Sequence, residues 1–173
     1  MNGIAQHSIF SQSYVWVLLI LWIAIGSACE AEPDTASREQ YLVSTDEIQQ
    51  AFTLSLEHLV DGHPALRDAS AATASTKEVL RQQHIDYYGE AVPIAKKARA
   101  EVAALVPPSK ARDYHAKLLG FFDLATQMFV EGISSLEDED PEGVSRLTKR
   151  TIELDARDTE LRLIRKALVR QQP

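Results

Sequence analysis

The only cysteine of the chain, Cys29, lies where an apolar segment meets an acidic one. Eleven consecutive apolar residues, 15–25, come before it, and the small residues 26–28 separate them from the thiol. The first charged side chain of the chain is Glu30, directly after it. A single cysteine excludes an internal disulfide and a cysteine-based structural zinc site. The chemistry open to Cys29 is therefore modification of its own sulfur, which is reactive when exposed.

A second candidate site is the pair Tyr87-Tyr88, which lies just before Gly89 and Pro93. A proline inside a helix leaves a backbone carbonyl without its intrahelical partner. Two phenol rings beside such a break could line a small pocket, so we predict Tyr87 and Tyr88 as ligand-binding residues. The alternative is that both rings belong to the core or to a groove and keep their hydroxyls in water.

Metal-binding and catalytic patterns are weak in this chain. Residues 138–143, "DEDPEG", match the opening of a calcium loop, but its twelfth position is Lys149 instead of the bidentate glutamate. No glutamate lies three residues before any histidine, as a di-iron bundle requires. There is no Gly-rich phosphate loop and no G-x-S-x-G motif. We therefore expect no metal site, no cofactor and no enzyme activity.

The four residues "GSAC", 26–29, resemble the lipobox of bacterial lipoproteins. In that family the cysteine receives a diacylglyceryl thioether and the peptide before it is removed. The resemblance implies that Cys29 is the lipid-attachment residue and that residues 1–28 are a cleaved signal peptide. It also implies a place in the cell envelope, lipid-anchored to a bacterial membrane and facing the periplasm or the exterior. Inner and outer membrane both remain open.

The length of the apolar segment bears on the alternatives to lipidation. A transmembrane helix needs roughly 20 apolar residues, whereas the apolar region of a secretory signal has about 7–15. We therefore favour a cleaved signal. An ordinary signal that leaves a free thiol and an uncleaved amino-terminal anchor are the alternatives. The lone cysteine favours lipidation, because a free exported thiol is an exposed reactive group and Cys29 lies at the position that lipid attachment would use.

The sequence after Cys29 divides into a tether and a helical domain. Residues 29–43 include a charged, proline-containing stretch without apolar periodicity, which predicts a flexible tether. Ser44 and Glu47 have the spacing of a capping box, which predicts the start of a short first helix. We therefore predict a bundle domain over residues 44–173.

Three long helices are predicted after the short one. The second helix begins at Pro64, and because its apolar pattern resumes after Pro93 we favour one kinked helix over a new start there. The third covers residues 109–136 and carries most large apolar side chains, so we expect it at the centre of the core. The fourth begins at residues 140–141, "DP". Short turns then predict an all-α fold, an elongated up-and-down antiparallel bundle of three long helices plus one short.

The charge and the missing catalytic patterns limit the function classes. The net charge is −7, and no charged side chain precedes Glu30, so the helical domain has no general attraction to nucleic acid. We expect a membrane-anchored, non-catalytic binding or scaffold module with a protein partner in the cell envelope. The alternative is a helical-bundle sensor or carrier of a small ligand or metal.

Overall fold

The computed structural model describes residues 33–67 and 76–170. In these ranges every regular element is helical: α1 (Pro33–Gly62), α2 (Pro64–Arg67), α3 (Lys77–Ala104), α4 (Arg112–Glu137) and α5 (Pro141–Arg170), with a 3-10 turn at Ser109–Ala111. The four long helices have 30, 28, 26 and 30 residues. They pack around one shared core, so the predicted all-α bundle is confirmed.

Contacts between the long helices fix their directions. Two ion pairs join α3 to α4 and the turn directly after it (Arg81–Glu139, Arg99–Asp123), and two join α4 to α5 (Lys117–Glu160, Glu131–Arg150). In both sets, the residue that comes later in the first helix pairs with the residue that comes earlier in the next. Arg165 of α5 binds both carboxylate oxygens of Asp46 in α1. Neighbouring helices therefore run antiparallel in an up-down-up-down order.

The core is centred on α4, as predicted. Its largest buried side chains are aromatic, and Phe122 has 0% exposed surface. The Phe122 ring lies edge-on to Phe52 of α1, with centroids 5.1 Å apart, and to its neighbour Phe121 at 5.3 Å. The face of α3 buried in this core is small instead, with Ala91, Ala95, Ala98 and Val102. Small residues on α3 let its backbone come close to the aromatic helix.

The first helix is longer than the capping-box spacing predicts. α1 begins at Pro33, so residues 33–43 are helical and the predicted flexible tether 29–43 is corrected over that part. Tyr41 and Leu42 are 5% and 4% exposed, which shows why this segment is ordered against the core. Ser44 lies inside the helix, and the buried Thr45 hydroxyl donates to the Leu42 carbonyl oxygen at 2.9 Å.

The second long helix begins later than Pro64 and passes through Pro93. Thr76 has an extended backbone, and its hydroxyl oxygen accepts the Val79 N–H at 3.2 Å, which is an N-cap. α3 therefore starts at Lys77, and Pro64 opens only the four-residue α2. The expectation of one continuous helix across Pro93 is confirmed, because Pro93 lies inside α3.

Candidate binding groove

A groove of about 870 Å³ opens where α3 begins, α4 ends and α5 begins. Its walls are mainly apolar, with Leu80 and Tyr88 from α3, Leu136 from α4, and Val144, Leu147 and Ile152 from α5. Ile152 is 65% exposed although it is large and β-branched. A concave, largely apolar surface of this volume is typical of binding sites in proteins. We therefore take this groove as the candidate functional site.

The groove lies beyond the end of α1. Along the bundle, Phe52 of α1 contacts Phe121 and Phe122 near the middle of α4. The last ring on this side is His63, directly after α1, which lies edge-on to Tyr87 at 6.0 Å. No residue of α1 lines the groove. The described residues that line the groove therefore come from α3, α4, α5 and the turn between α4 and α5.

The structure separates the two predicted tyrosines. Both rings contact Phe129 of α4, with centroids 6.3 Å away for Tyr87 and 5.9 Å for Tyr88. Only Tyr88 reaches the groove wall. Burial raises the pKa of both phenols, and the neighbouring phenol contributes to the shift at Tyr87. Both side chains are therefore part of an aromatic cluster, and ligand binding at this pair stays a prediction that now concerns Tyr88 above all.

Tyr88 lies against the backbone of Gly132. A Cβ atom at position 132 would stand 2.6 Å from both Cδ2 and Cε2 of the Tyr88 ring. Contacts this short do not occur between carbon atoms, because optimal separations are about 3.5–4.0 Å. Gly132 therefore lets the Tyr88 ring come close to the backbone of α4, and this contact positions Tyr88 at the inner end of the groove.

Arg81 joins the α3 wall to the end of α4. Its Nη1 donates to the Leu136 carbonyl oxygen at 3.2 Å and to Glu139 Oε1 at 3.5 Å, while Nη2 donates to Glu78 Oε1 at 2.7 Å. The hydrogen bond from Arg81 lowers the pKa of the Glu78 carboxyl. Because α-helices leave their last carbonyls without partners, Arg81 acts as a side-chain cap for α4.

Asp140 occupies the turn between α4 and α5. Its carboxylate accepts the backbone N–H groups of Gly143 and Glu142 and a hydrogen bond from Arg146, which together lower its pKa. A side chain at Gly143 would collide with Ser135 and Asp140, so the turn is tightly packed. Asp140 therefore serves as the N-cap of α5, as the "DP" pair predicts.

Three histidines of the described residues each have a hydrogen-bond partner of their own. Nδ1 of His63 and of His84 each lies 2.8 Å from the carbonyl oxygen four residues earlier, which fits an N–H donor at that nitrogen. His115 contacts the Tyr41 hydroxyl through Nδ1 at 3.0 Å. Among residues 33–67 and 76–170, no three metal-ligating side chains come together in a cluster that could hold an ion.

The predicted lipid-attachment residue, Cys29, lies outside the described residues, as do the predicted signal peptide and the first part of the tether. Within the described ranges, none of the helices combines the length and the apolar character that crossing a bilayer requires. Comparison with protein-family models, with curated proteins and with solved structures finds no match to the chain.

The sequence did not single out the α5 wall of the groove. Val144 and Leu147 belong to the apolar stripe of this helix, but Ile152 lies off it and carried no prediction. No local signal distinguished it, because single exposed apolar residues are common on protein surfaces and Leu163 of the same helix is 63% exposed. The role of Ile152 depends on which residues tertiary packing places beside it.

Proposed function

We propose that this protein is an exported, lipid-anchored helical bundle that acts as a non-catalytic binding module through the groove at α3, α4 and α5. The observation that carries the binding role is the apolar groove beside Tyr88, with Ile152 exposed in its wall. A groove of about 870 Å³ is within the range of ligand-binding pockets.

Support for the membrane anchor comes from the sequence around Cys29. A short apolar segment followed by small residues suits a cleaved signal peptide, and the cysteine after them resembles the lipid-attachment residue of bacterial lipoproteins. Acyl chains on Cys29 would hold the bundle beside a bilayer, since each buried CH₂ contributes about 0.8 kcal/mol.

The anchor is tested by metabolic labelling of the full chain in a bacterium with an alkynyl fatty acid. We expect labelled protein and a mature mass that lacks residues 1–28, with both features lost in Cys29→Ala. Equal labelling of the wild type and Cys29→Ala would refute the anchor, and so would a mature mass that retains residues 1–28.

The binding role is tested on the purified full chain with a neutral alkyl diazirine, whose sites of insertion are mapped by peptide mass spectrometry. We expect labelling near Tyr88, Leu147 and Ile152. Ile152→Glu should lose it, because the substitution places a charge in the apolar wall.

Leu163→Glu is the matched control, because Leu163 is also on α5 and is 63% exposed but does not line the groove. This variant should leave the labelling of the groove intact. The binding role would be wrong if the groove were labelled no more than other exposed apolar positions, or if both variants had the same effect.

A further inference from the structure

The groove has two walls of equal length. Lys77 and Tyr88 mark the two ends of the α3 wall, and Pro141 and Ile152 mark the two ends of the α5 wall. In each wall the end residues are eleven positions apart, which is about 16 Å along a helix at 1.5 Å per residue. Because α3 and α5 run in the same direction, Lys77 and Pro141 lie at the same end, beside the turn after α4. The groove is therefore elongated, which suits a chain-like ligand.

Charged side chains line only one end of the groove. This head end is formed by the start of α3 and the turn before α5, with the residues Lys77, Arg81, Glu139 and Asp140. The opposite, tail end has Tyr88, Leu147 and Ile152 in its walls, together with two threonines of α5. The hydroxyls of these threonines, Thr148 and Thr151, donate to carbonyl oxygens of their own helix. A groove that is charged at one end and apolar at the other fits a molecule with a polar head and an apolar tail.

The protein itself occupies two of the four charges at the head end. Arg81 is held by the carbonyl end of α4, and Asp140 is held by N–H groups at the start of α5. Lys77 is exposed and makes no ion pair or hydrogen bond within the described residues. Glu139 is 63% exposed and contacts Arg81 through Oε1 at 3.5 Å, which leaves its Oε2 without a partner in the described structure. The head end therefore offers a ligand one cation and one carboxylate, and the charges that line it balance.

Glu139 has an unusual backbone conformation for a glutamate. Its φ is 50°, in the left-handed region that glycine most often fills directly after a helix. Non-glycine residues held in this region cluster at ligand-binding and active sites, because a strained backbone persists where the side chain has a role. At position 139 the strained residue is one that lines the groove with a carboxylate.

We propose that the groove binds a single-chain zwitterionic amphiphile, which has one alkyl chain and a head that carries one anionic and one cationic group. The alkyl chain lies along Tyr88, Leu147 and Ile152. The anionic group faces Lys77 and the cationic group faces Glu139. A head of one sign would leave one of these two side chains without an opposite charge. This inference rests on the proposed binding function and adds the class of ligand.

The experiment measures how well amphiphiles protect the groove of the full chain from the alkyl diazirine. Four amphiphiles with the same 12-carbon chain are compared below their critical micelle concentrations: zwitterionic dodecylphosphocholine, uncharged dodecyl maltoside, cationic dodecyltrimethylammonium and anionic dodecanoate. Peptide mass spectrometry gives the concentration of each that halves the labelling at Tyr88, Leu147 and Ile152. Because labelling is mapped by position, binding elsewhere on the chain does not enter the result.

We expect dodecylphosphocholine to protect at the lowest concentration, with the other three needing at least about fivefold more. Decylphosphocholine has two CH₂ groups fewer and the same head. Since each buried CH₂ changes an affinity by a factor of about four, the shorter amphiphile should need about tenfold to fifteenfold more. Ile152→Glu should lose the protection, whereas Leu163→Glu, which lies outside the groove, should retain it.

Two charge variants test the head end in opposite directions. Glu139→Gln should weaken protection by dodecylphosphocholine about threefold to tenfold and should strengthen protection by dodecanoate. Lys77→Gln should also weaken the zwitterion, but it should strengthen dodecyltrimethylammonium instead. Lys110→Gln and Glu57→Gln are the matched controls, because both residues are exposed and neither lines the groove. These controls should leave all four concentrations unchanged.

Glu139→Gly separates binding from stability. Glycine adopts the left-handed conformation without strain, so this variant should have a higher Tm than the wild type, measured by the helical circular dichroism signal. It should nevertheless weaken protection by dodecylphosphocholine as much as Glu139→Gln does. A role for Glu139 in the turn alone predicts unchanged protection in both variants.

Equal protection by dodecylphosphocholine and dodecyl maltoside would overturn the inference, and so would stronger protection by either amphiphile of a single charge. Unchanged protection in Glu139→Gln and Lys77→Gln would also overturn it. If the alkyl diazirine labels the groove but the four amphiphiles protect it alike or not at all, the proposed binding function stands and the zwitterionic class is excluded. If the diazirine does not reach the groove, both proposals fail.

Discussion

Gly132→Ala tests the contact that positions Tyr88 at the groove. The new Cβ would stand 2.6 Å from two carbon atoms of the Tyr88 ring, so the ring or α4 has to shift. Overpacking of this kind costs about 1–3 kcal/mol. Alanine in place of glycine inside a helix contributes about 1 kcal/mol in the opposite direction. We therefore expect Gly132→Ala to destabilise the fold by up to about 2 kcal/mol.

Gly89→Ala is the control for the backbone contribution alone. Gly89 also lies inside a long helix, α3, but a Cβ there has no atom within 4 Å. This substitution should stabilise the protein by about 1 kcal/mol. The free energy of unfolding is measured by guanidinium denaturation of the full chain, followed by the helical circular dichroism signal.

A double-mutant cycle isolates the contact between the ring and the glycine. In a Tyr88→Ala background the added methyl group at position 132 meets no ring, so Gly132→Ala should become neutral or stabilising. The coupling between the two positions should be about 1–3 kcal/mol. If Gly132→Ala stabilises the wild type as much as Gly89→Ala does, the ring does not lie on Gly132 and the inner end of the groove has another shape.

Three further predictions concern the helices and their ionisable groups. Pro93→Ala should stabilise the bundle by roughly 1–3 kcal/mol, because it removes an interior helical proline and restores an N–H donor for the Gly89 carbonyl. Unchanged or lower stability in guanidinium would show that α3 is adapted to the proline. Thr76→Ala should destabilise the fold by about 1 kcal/mol, because the Val79 N–H loses its acceptor. Thr76→Ser should retain most of the stability, because it keeps the hydroxyl. Equal losses of stability in the two variants would refute the cap. Burial raises the pKa of four tyrosines, so the stability they contribute is complete below their ordinary pKa of about 10 and is lost as pH rises through the raised values. The four residues are Tyr41, Tyr87, Tyr88 and Tyr114. The free energy of unfolding is measured by guanidinium denaturation at pH 8, 10 and 11, with phenolate absorbance recorded in parallel. Phenolate formation at a pH where the helical signal is still intact would contradict the prediction.

Burial and hydrogen bonding explain how α1 is held, and why its start was missed. The Tyr114 hydroxyl of α4 accepts a hydrogen bond from Gln49 at 2.8 Å, and Arg165 of α5 binds Asp46. These partners are 65 and 119 residues away in the sequence. No pattern within α1 indicates these partners. The spacing of Ser44 and Glu47 predicts a helix start, but both residues lie inside α1 because packing extends the helix. The helix therefore extends back to Pro33, where the sequence suggested a tether.

Local signals located α4, α5 and the turn between them. The "DP" pair at residues 140–141 predicts a cap followed by a first-turn proline, and the structure shows Asp140 accepting N–H groups of α5. The apolar periodicity of residues 109–136 likewise predicts the central helix. Caps and helical stripes depend on residues within one or two turns of each other, which is why a single sequence contains them.

The sequence by itself determined that this chain forms helices with a short turn between α4 and α5, and it placed a lone cysteine after a short apolar segment. Tertiary structure alone decided which surfaces of α3, α4 and α5 come together to form the groove beside Tyr88 and Ile152. The physical reason is that a groove forms only where the surfaces of separate helices meet. Helical propensity acts within one segment, whereas the fit of Tyr88 on Gly132 requires two helices that meet only after the chain has folded.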